Sequence, residues 1–481
     1  MSQQPLGPPK PTLALALSGG GKRASLFALG ALLAVSEAGL NGSTVAIASV
    51  SGGSITNAVV AVKCDFMRVE KEQFRSIAYE LARVLQSKRH RVRAWWLLLL
   101  GAAYTVLAET SPVNRLWDHV DVIRESRAPE SLVMLLLLSA GSLVAFSVRT
   151  LVQEQVLSAL FRKPSGTEST LADLQGRRMS HIFCLTDLEE GVPLLFRNDR
   201  CLHLVSDKRT GERHCQVSQQ HGLGLARVVT GSAAFPGAFA PAPLQLNDGL
   251  GQGLANWTVV ADGGVYNNLA TDWLLQGAGL SEVDWPDEWP AETGVVRDLA
   301  DHVFVVDASA PPNARRIGVN TDGPFALWKE FTSLFRIAAI INASNVAHRQ
   351  HLLDLADSHD GSPAVHRLPI SEPATAAAEK YSSSSDPRIS ARASVALQTL
   401  LSLSSQREWD DLAAQAGSVR TTLGKLSHSD TRALMWHGYH SMATALRVHF
   451  GHAAAAPALP ALHEPLPRGG RRRHGFCTGA R

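Results

Sequence analysis

Leu13-Ala14-Leu15-Ala16-Leu17 runs straight into Ser18-Gly19-Gly20-Gly21-Lys22-Arg23, and further on Val45-Ala46-Ile47-Ala48 runs into Ser49-Val50-Ser51-Gly52-Gly53. Each is an apolar run of strand length closed by a glycine turn, and each is followed by a segment with helical spacing. The first of these segments is Arg23 to Ala38 and the second Ile55 to Lys63, with Asn41-Gly42 as punctuation between the units. Two consecutive strand, turn and helix units predict an α/β fold in three layers, with a mainly parallel central sheet covered by helices.

Working outward, His181 to Thr186 reads as a strand and Leu223 to Thr230 as a helix opening onto Gly231-Ser232-Ala233-Ala234-Phe235-Pro236. Trp257 to Ala261 and His302 to Val306 are further strands, the first closing on Asp262-Gly263-Gly264. Polar residues at the ends of apolar strands mark the edge of an open α/β sheet where ligands bind. Beyond Arg316 the pattern is helical, interrupted by a solvated segment, Ser382 to Ser385. Met435, Tyr439, Met442, Leu446 and Phe450 recur every three or four residues and give a final helix one buried stripe.

The length of 481 residues corresponds to roughly three pieces of domain size, enough for a large core. Hydrophobic residues at 45% and charged residues at 19% exclude a collagen, a coiled coil and a wholly disordered chain. A formal net charge of +3 gives no reason to expect nucleic acid as a partner. The five cysteines are scattered without CxxC spacing, so no disulfide framework or zinc site is indicated, and a reducing compartment fits. Residues 1–11 read as a short Pro-rich disordered lead without the apolar run of a secretory signal. Residues 453–481 read as a disordered basic tail.

Residues 88–163 interrupt the α/β pattern. They hold two uncharged apolar stretches, Ala94 to Ala108 and Ser131 to Val148. At about 1.5 Å per residue these would extend about 22 and 27 Å as helices, against a hydrocarbon core of about 30 Å. Lys88, Arg89, Arg91 and Arg93 precede the first and Arg149 follows the second, while Glu109, Asp118, Asp121, Glu125 and Glu130 outnumber Arg115, Arg124 and Arg127 between them. Basic flanks and an acidic connection fit a helical hairpin inserted from the cytoplasmic side. The alternative is a pair of helices packed within the protein or lying on it as a hydrophobic lid, with the chain cytoplasmic. The expected organisation is therefore 12–87 with 164–315 as an α/β domain, 88–163 as an insertion and 316–452 as a C-terminal helical region.

Three pieces of this pattern carry chemistry. Ser51 sits at a strand-to-helix junction, where a sharp turn pushes a hydroxyl out of the sheet and small neighbours admit a substrate. The common elbow is GxSxG, whereas Ser49 holds the first position here, so a plain Ser-Gly turn is the competing reading. Gly19, Gly20 and Gly21 can converge several amides on one point at a helix N-terminus, where an oxyanion is stabilised, or can form a purely structural turn. Asp262 can act as a base or simply make an Asp-Gly-Gly turn. A phosphate-binding GxxxxGK[ST] loop ending at Lys22 fails, because Ala16 and Arg23 occupy two of its defining positions. The 18 histidines include no HExxH and no Cys/His cluster, so neither a metal nor another cofactor is expected. His437 and His440 read as structural, and Asp307 as a cap at a strand end.

In order, SGGGKRA, SVSGG, GSAAFP and ADGGVYNN resemble the four signature blocks of the patatin-like phospholipase family, over most of residues 11 to 310 outside the insertion. The WHGYHSMATALR helix is similar to the closing helix of some bacterial members. The resemblance implies a patatin-like fold and a Ser-Asp dyad, with Ser51 as nucleophile and Asp262 as base. It further implies an oxyanion hole from Gly19, Gly20 and Gly21, with Arg23 as the supporting basic residue beside it. It implies cleavage of carboxylic esters of membrane lipids without a catalytic metal, with a non-catalytic lipid-binding scaffold or an acyltransferase as alternatives. Ser49 in place of glycine and Ala24 after Arg23 depart from the family pattern.

Overall fold

The computed structural model describes residues 11–86, 149–163, 165–206, 210, 213–236, 239–247, 256–277, 300–309, 343–355, 357, 363–420 and 426–452. The stretches 94–108 and 131–148, residues 1–10 of the lead and the tail 453–481 lie outside these. The chain opens with β1 (Leu13–Leu17), α1 (Gly21–Glu37), β2 (Thr44–Ser49), α2 (Gly52–Lys63) and α3 (Lys71–Gln86). Residues 149–160 are helical and form α4. There follow β3 (Ser180–Asp187), β4 (Val192–Arg197), β5 (Arg200–Ser206), β6 (Arg213–Gln219), α5 (Leu225–Ser232), β7 (Ala242–Leu246), β8 (Asn256–Asp262), α6 (Asp272–Gly277) and β9 (His302–Asp307). Helical residues 343–355 are α7. The chain then continues through β10 (Ala364–Pro369), α8 (Ala374–Ser382), α9 (Pro387–Leu403), α10 (Gln406–Ser418) and α11 (His428–Phe450).

The sheet order is β10-β9-β1-β2-β3-β4-β5-β6. The strands β10, β9, β1, β2 and β3 are parallel, and β4 to β6 add an antiparallel wing. Alternation along β1 shows how the layers form. Leu13, Leu15 and Leu17 join the core under α1, α2 and α3, whereas Ala14 and Ala16 join the opposite core with Trp273, Leu274, Val346 and Leu353 from α6 and α7. A strand buried on both faces is apolar at every position, as the sequence had it.

The helix α1 is buried on all sides except at Gly21, because it lies between the sheet and α11. Met435, Tyr439, Met442 and Leu446 are buried against it, and Phe450 packs at the edge of the same core. Two glycines allow the close crossing: a β-carbon at Gly30 would strike the Met435 carbonyl, and one at Gly438 the Phe27 carbonyl.

The region beyond 316 is not helical throughout. β10 adds an edge strand to β9, a short segment of mixed polarity whose partner is distant in sequence. The expected interruption at Ser382 to Ser385 separates α8 from α9, whose first turn is capped by the Asp386 carboxylate accepting from the Arg388 N–H at 2.8 Å. Leu157 and Phe161, from the end of the 88–163 segment, are buried in the main core.

Candidate active site

Strand β3 decides which residues meet. It pairs with β4 along one edge over Ile182 to Asp187, so its other partners must share the opposite edge. Along that edge β2 runs parallel and ends with Ser49 beside Phe183, while β8 runs antiparallel and ends with Asp262 beside Leu185. The two C-terminal ends therefore face each other across Cys184. Residues leaving β2 and β8 are brought together head-on, although a long stretch of chain separates them.

Ser51 leaves β2 with φ 52° and ψ −116°, a backbone conformation that side chains seldom adopt, and it is one of three described non-glycine residues with positive φ. Its N–H is held at 3.1 Å by both the carbonyl and the hydroxyl of Ser232, and Val50 N–H donates to the Leu17 carbonyl at 3.0 Å. This anchoring raises the hydroxyl at the N-terminus of α2, on the side of the Asp262 carboxylate, whose pKa it acts to lower.

Asp262 is only 3% exposed. Its carboxylate also accepts the Gly264 N–H at 2.8 Å, its own N–H donates to the Ala234 carbonyl at 3.1 Å, and Thr186 Oγ1 donates to its carbonyl at 2.9 Å. Burial pushes its pKa from 3.8 up to about 7, against the lowering effect of the Gly264 amide and the Ser51 hydroxyl. The carboxyl is thereby poised to exchange a proton near neutrality, as a general base requires.

The glycine turn after β1 packs directly on this elbow. A β-carbon at Gly52 would strike the Gly21 carbonyl, and Gly20 takes φ 137°. Ser25 Oγ fastens the two turns by donating to Gly52 O at 2.7 Å, with Gly21 O at 3.2 Å. Of the three amides expected at an anion pocket, that of Gly19 is already engaged, donating to the Asn268 carbonyl at 2.9 Å. The Gly20 and Gly21 N–H groups enter the first turn of α1, where a helix offers no internal acceptor.

Arg23 stands beside this turn and is 4% exposed. Its guanidinium donates to the carbonyls of Ala308 at 3.0 Å and Val419 at 2.8 Å, tying the start of α1 to the ends of β9 and α10. Burial lowers its pKa to about 10 despite the nearby Asp307. Asp307 accepts from Ser309 N–H at 2.9 Å and Gln350 Nε2 at 3.1 Å, which caps the end of β9. Lys22 turns away from the glycines and donates to the Leu85 carbonyl at 2.7 Å, so it offers no charge to a phosphate at the turn.

His437 and His440 are buried in the C-terminal helix, with His437 Nε2 bonded to the Ile370 carbonyl at 3.0 Å. Among the described residues no group of three His, Cys, Asp or Glu side chains is arranged to hold a metal.

Two residues that bridge parts of the site were not singled out from the sequence. Asn268, in the ADGGVYNN block, accepts from Gly19 through its carbonyl and donates through Nδ2 to Ser309 Oγ at 2.8 Å, joining the glycine turn to the segment after β9. Ser232, in the GSAAFP block, bridges the Ser51 amide and the Cys184 carbonyl. The only sequence signal for either was membership of its block.

Fold and site together define a class: a three-layer α/β protein whose elbow serine, buried at the turn, faces an Asp-Gly-Gly turn beside a glycine-rich helix start. The family model for patatin-like phospholipase matches residues 15–275, more than half of the chain, and the chain belongs to that family. Among solved structures it is similar to human GIVD cytosolic phospholipase A2, with a TM-score of 0.43 and 12% identity over 91% of this chain and 59% of that one. It is also similar to VipD from Legionella pneumophila, with a TM-score of 0.26 and 14% identity over 94% and 89% of the two chains. The chain thus spans 59% of the length of the human protein. No curated protein sequence matches it.

Proposed function

We propose that this protein is a serine lipid acyl hydrolase working through a Ser51-Asp262 dyad. The observation that carries the proposal is the meeting of the ends of β2 and β8 across Cys184, which brings Ser51 to a buried carboxylate whose pKa is raised to about 7. Ser51 attacks the ester carbonyl while Asp262 takes its proton, and the Gly20 and Gly21 amides, with the positive end of α1, receive the oxyanion. Collapse of the tetrahedral species expels the alcohol, which takes the proton from Asp262. A water then attacks the acyl-enzyme with Asp262 taking its proton, and collapse releases the fatty acid as the departing Ser51 oxygen takes that proton back from Asp262. Arg23 holds the glycine turn in place rather than contacting substrate. The triple-glycine turn thus supplies two donors instead of three, because Asn268 occupies the Gly19 amide.

Esters of membrane lipids are the proposed substrates, in keeping with the family. The same proposal places the protein at the cytoplasmic face of a membrane, with 94–108 and 131–148 making contact. Among the described residues no helix is long and apolar enough to cross a membrane, and both stretches lie outside them. The ends of that segment support the idea. The Leu85 carbonyl is bonded to Lys22 beside the glycine turn, and Thr150 Oγ1 accepts from the Ala240 N–H at 3.0 Å, shortly after the GSAAFP block. The described ends of the segment are thus bonded to residues that neighbour the glycine turn and the GSAAFP block in sequence. Deletion of residues 94–148 is expected to release the chain from membrane fractions, and unchanged fractionation would refute the contact.

The decisive experiment on the dyad is labelling of the full chain with a fluorophosphonate, read by peptide mass. Modification of Ser51, lost in Ser51→Ala, is the expected result. An unlabelled wild-type protein would support the scaffold alternative and end the hydrolase reading.

A further inference from the structure

Beneath the elbow runs a line of fully buried hydroxyls, Ser49, Ser54 and Ser232, that the dyad itself does not use. Ser49 Oγ donates to the Ile182 carbonyl at 3.0 Å and accepts from Asn57 Nδ2 at 2.9 Å. Ser232 Oγ donates to the Cys184 carbonyl at 2.8 Å and accepts the Ser51 N–H at 3.1 Å. Ser54 Oγ stands between them, 3.2 Å from Ser49 Oγ and 2.9 Å from Ser232 Oγ.

The protons of this line can be counted. Carbonyl oxygens only accept, so the Ser49 and Ser232 protons are committed to Ile182 and Cys184. One proton, that of Ser54, remains for two hydroxyl oxygens. It can serve Ser49 Oγ at 3.2 Å or Ser232 Oγ at 2.9 Å but not both at once, and when it points to Ser232 that oxygen receives two donors and gives one. Cys184 lies in the gap between the ends of β2 and β8, so its carbonyl depends on that hydroxyl for satisfaction. Ser232 Oγ cannot rotate away without leaving a buried carbonyl unpaired, which is costly.

We propose that Ser232, steadied by Ser54, is a positioning residue that fixes the Ser51 amide. It thereby holds the strained backbone conformation in which the Ser51 hydroxyl meets Asp262. The claim rests on the reading of Ser51 as nucleophile.

The test uses the purified full chain and the variants Ser232→Ala, Ser54→Ala and their combination. Turnover of a soluble short-chain p-nitrophenyl ester is expressed per fluorophosphonate-labelled site, so that unfolded molecules do not count. Ser232→Ala is expected to lower kcat and the labelling rate about tenfold to a hundredfold with KM within about twofold, the signature of lost orientation. Ser54→Ala is expected to lose less, and the double variant no more than Ser232→Ala alone, because Ser54 acts through Ser232. If Ser232→Ala does not fold, Ser54→Ala decides, since it leaves the Cys184 bond in place. A kcat per labelled site within about twofold of wild type in Ser232→Ala or Ser54→Ala, or multiplied losses in the double variant, would overturn the proposal. A wild-type chain that does not label at Ser51 would remove the hydrolase reading instead, so the two failures are told apart.

Discussion

Asp262, the proposed base, is a side chain maintained against the stability of the fold. Its folded pKa of about 7 lies above the ordinary 3.8, so between these values the folded chain keeps a proton that the unfolded chain has lost. Stability therefore falls as pH rises from about 4 to about 7 and stays low above that, by at most about 4 kcal/mol at about 1.4 kcal/mol per unit. Asp262→Asn is accordingly expected to abolish ester turnover while raising the melting temperature at pH 8, with the gain shrinking towards pH 4. Melting curves across this range check it, and an equal destabilisation at both ends would refute the burial argument. With the base as the carboxylate, kcat/KM is expected to rise with pH through an apparent value near 7.

At the scale of elements, the crossing of α1 and α11 controls the register of the C-terminal helices on the catalytic layer. The amides at the start of α1 are held where the sheet needs them only if α1 stays seated, and α11 seats it. Gly30→Ala or Gly438→Ala drives a methyl into a backbone carbonyl, which cannot yield as a flexible side chain does. Each is expected to cost about 1–3 kcal/mol, read from urea unfolding. Gly417→Ala, in α10, is the control. Its nearest neighbour would be at 3.9 Å, an ordinary contact, so the better helix propensity of alanine is expected to give a small gain. Cores and caps of this kind were readable in part: the β1 run and the α11 stripe fixed both elements, but neither glycine could be assigned to a crossing before the partner helix was known.

For the molecule as a whole, buried histidines set the limit of acid tolerance. Burial lowers His181 and His440 to about 3, His366 to about 2, and His437 and His449 to about 4. For His366, Coulombic repulsion from His449 and His302 adds to the effect of burial, and for His449 repulsion from His302 and Arg392 does the same. Repulsion from Arg177 acts on His181, and from His437 on His440, whereas the Ile370 carbonyl opposes the shift of His437. Each must be neutral in the fold but takes up a proton near 6.5 when the chain opens. Their contribution is complete above pH 6.5 and is lost as pH falls, at about 1.4 kcal/mol per unit for each group. Cooperative unfolding is expected between about pH 6 and pH 5, well above the range set by carboxylates alone. Circular dichroism against pH checks this, and a native signal at pH 4 would contradict the neutral-histidine account. The proposed base and the buried histidines both favour neutral or higher pH, against the opposing effect of the buried Asp262 carboxyl on stability.

The local grammar of the sequence determined the strand, glycine turn and helix units, the buried face of the last helix and the short set of polar residues from which a site could be built. These follow from side-chain size and spacing within a few residues, which the chain carries wherever it goes. The tertiary structure alone decided that β8 runs against β3 to meet the end of β2, that β10 completes the sheet edge, and that β4 to β6 form an antiparallel wing. It also decided that Asn268 takes one of the three glycine amides and that Ser232 spans the gap at Cys184. Such pairings depend on loop closure and register between distant segments, and no periodicity inside either segment encodes which edge of a strand the other will occupy.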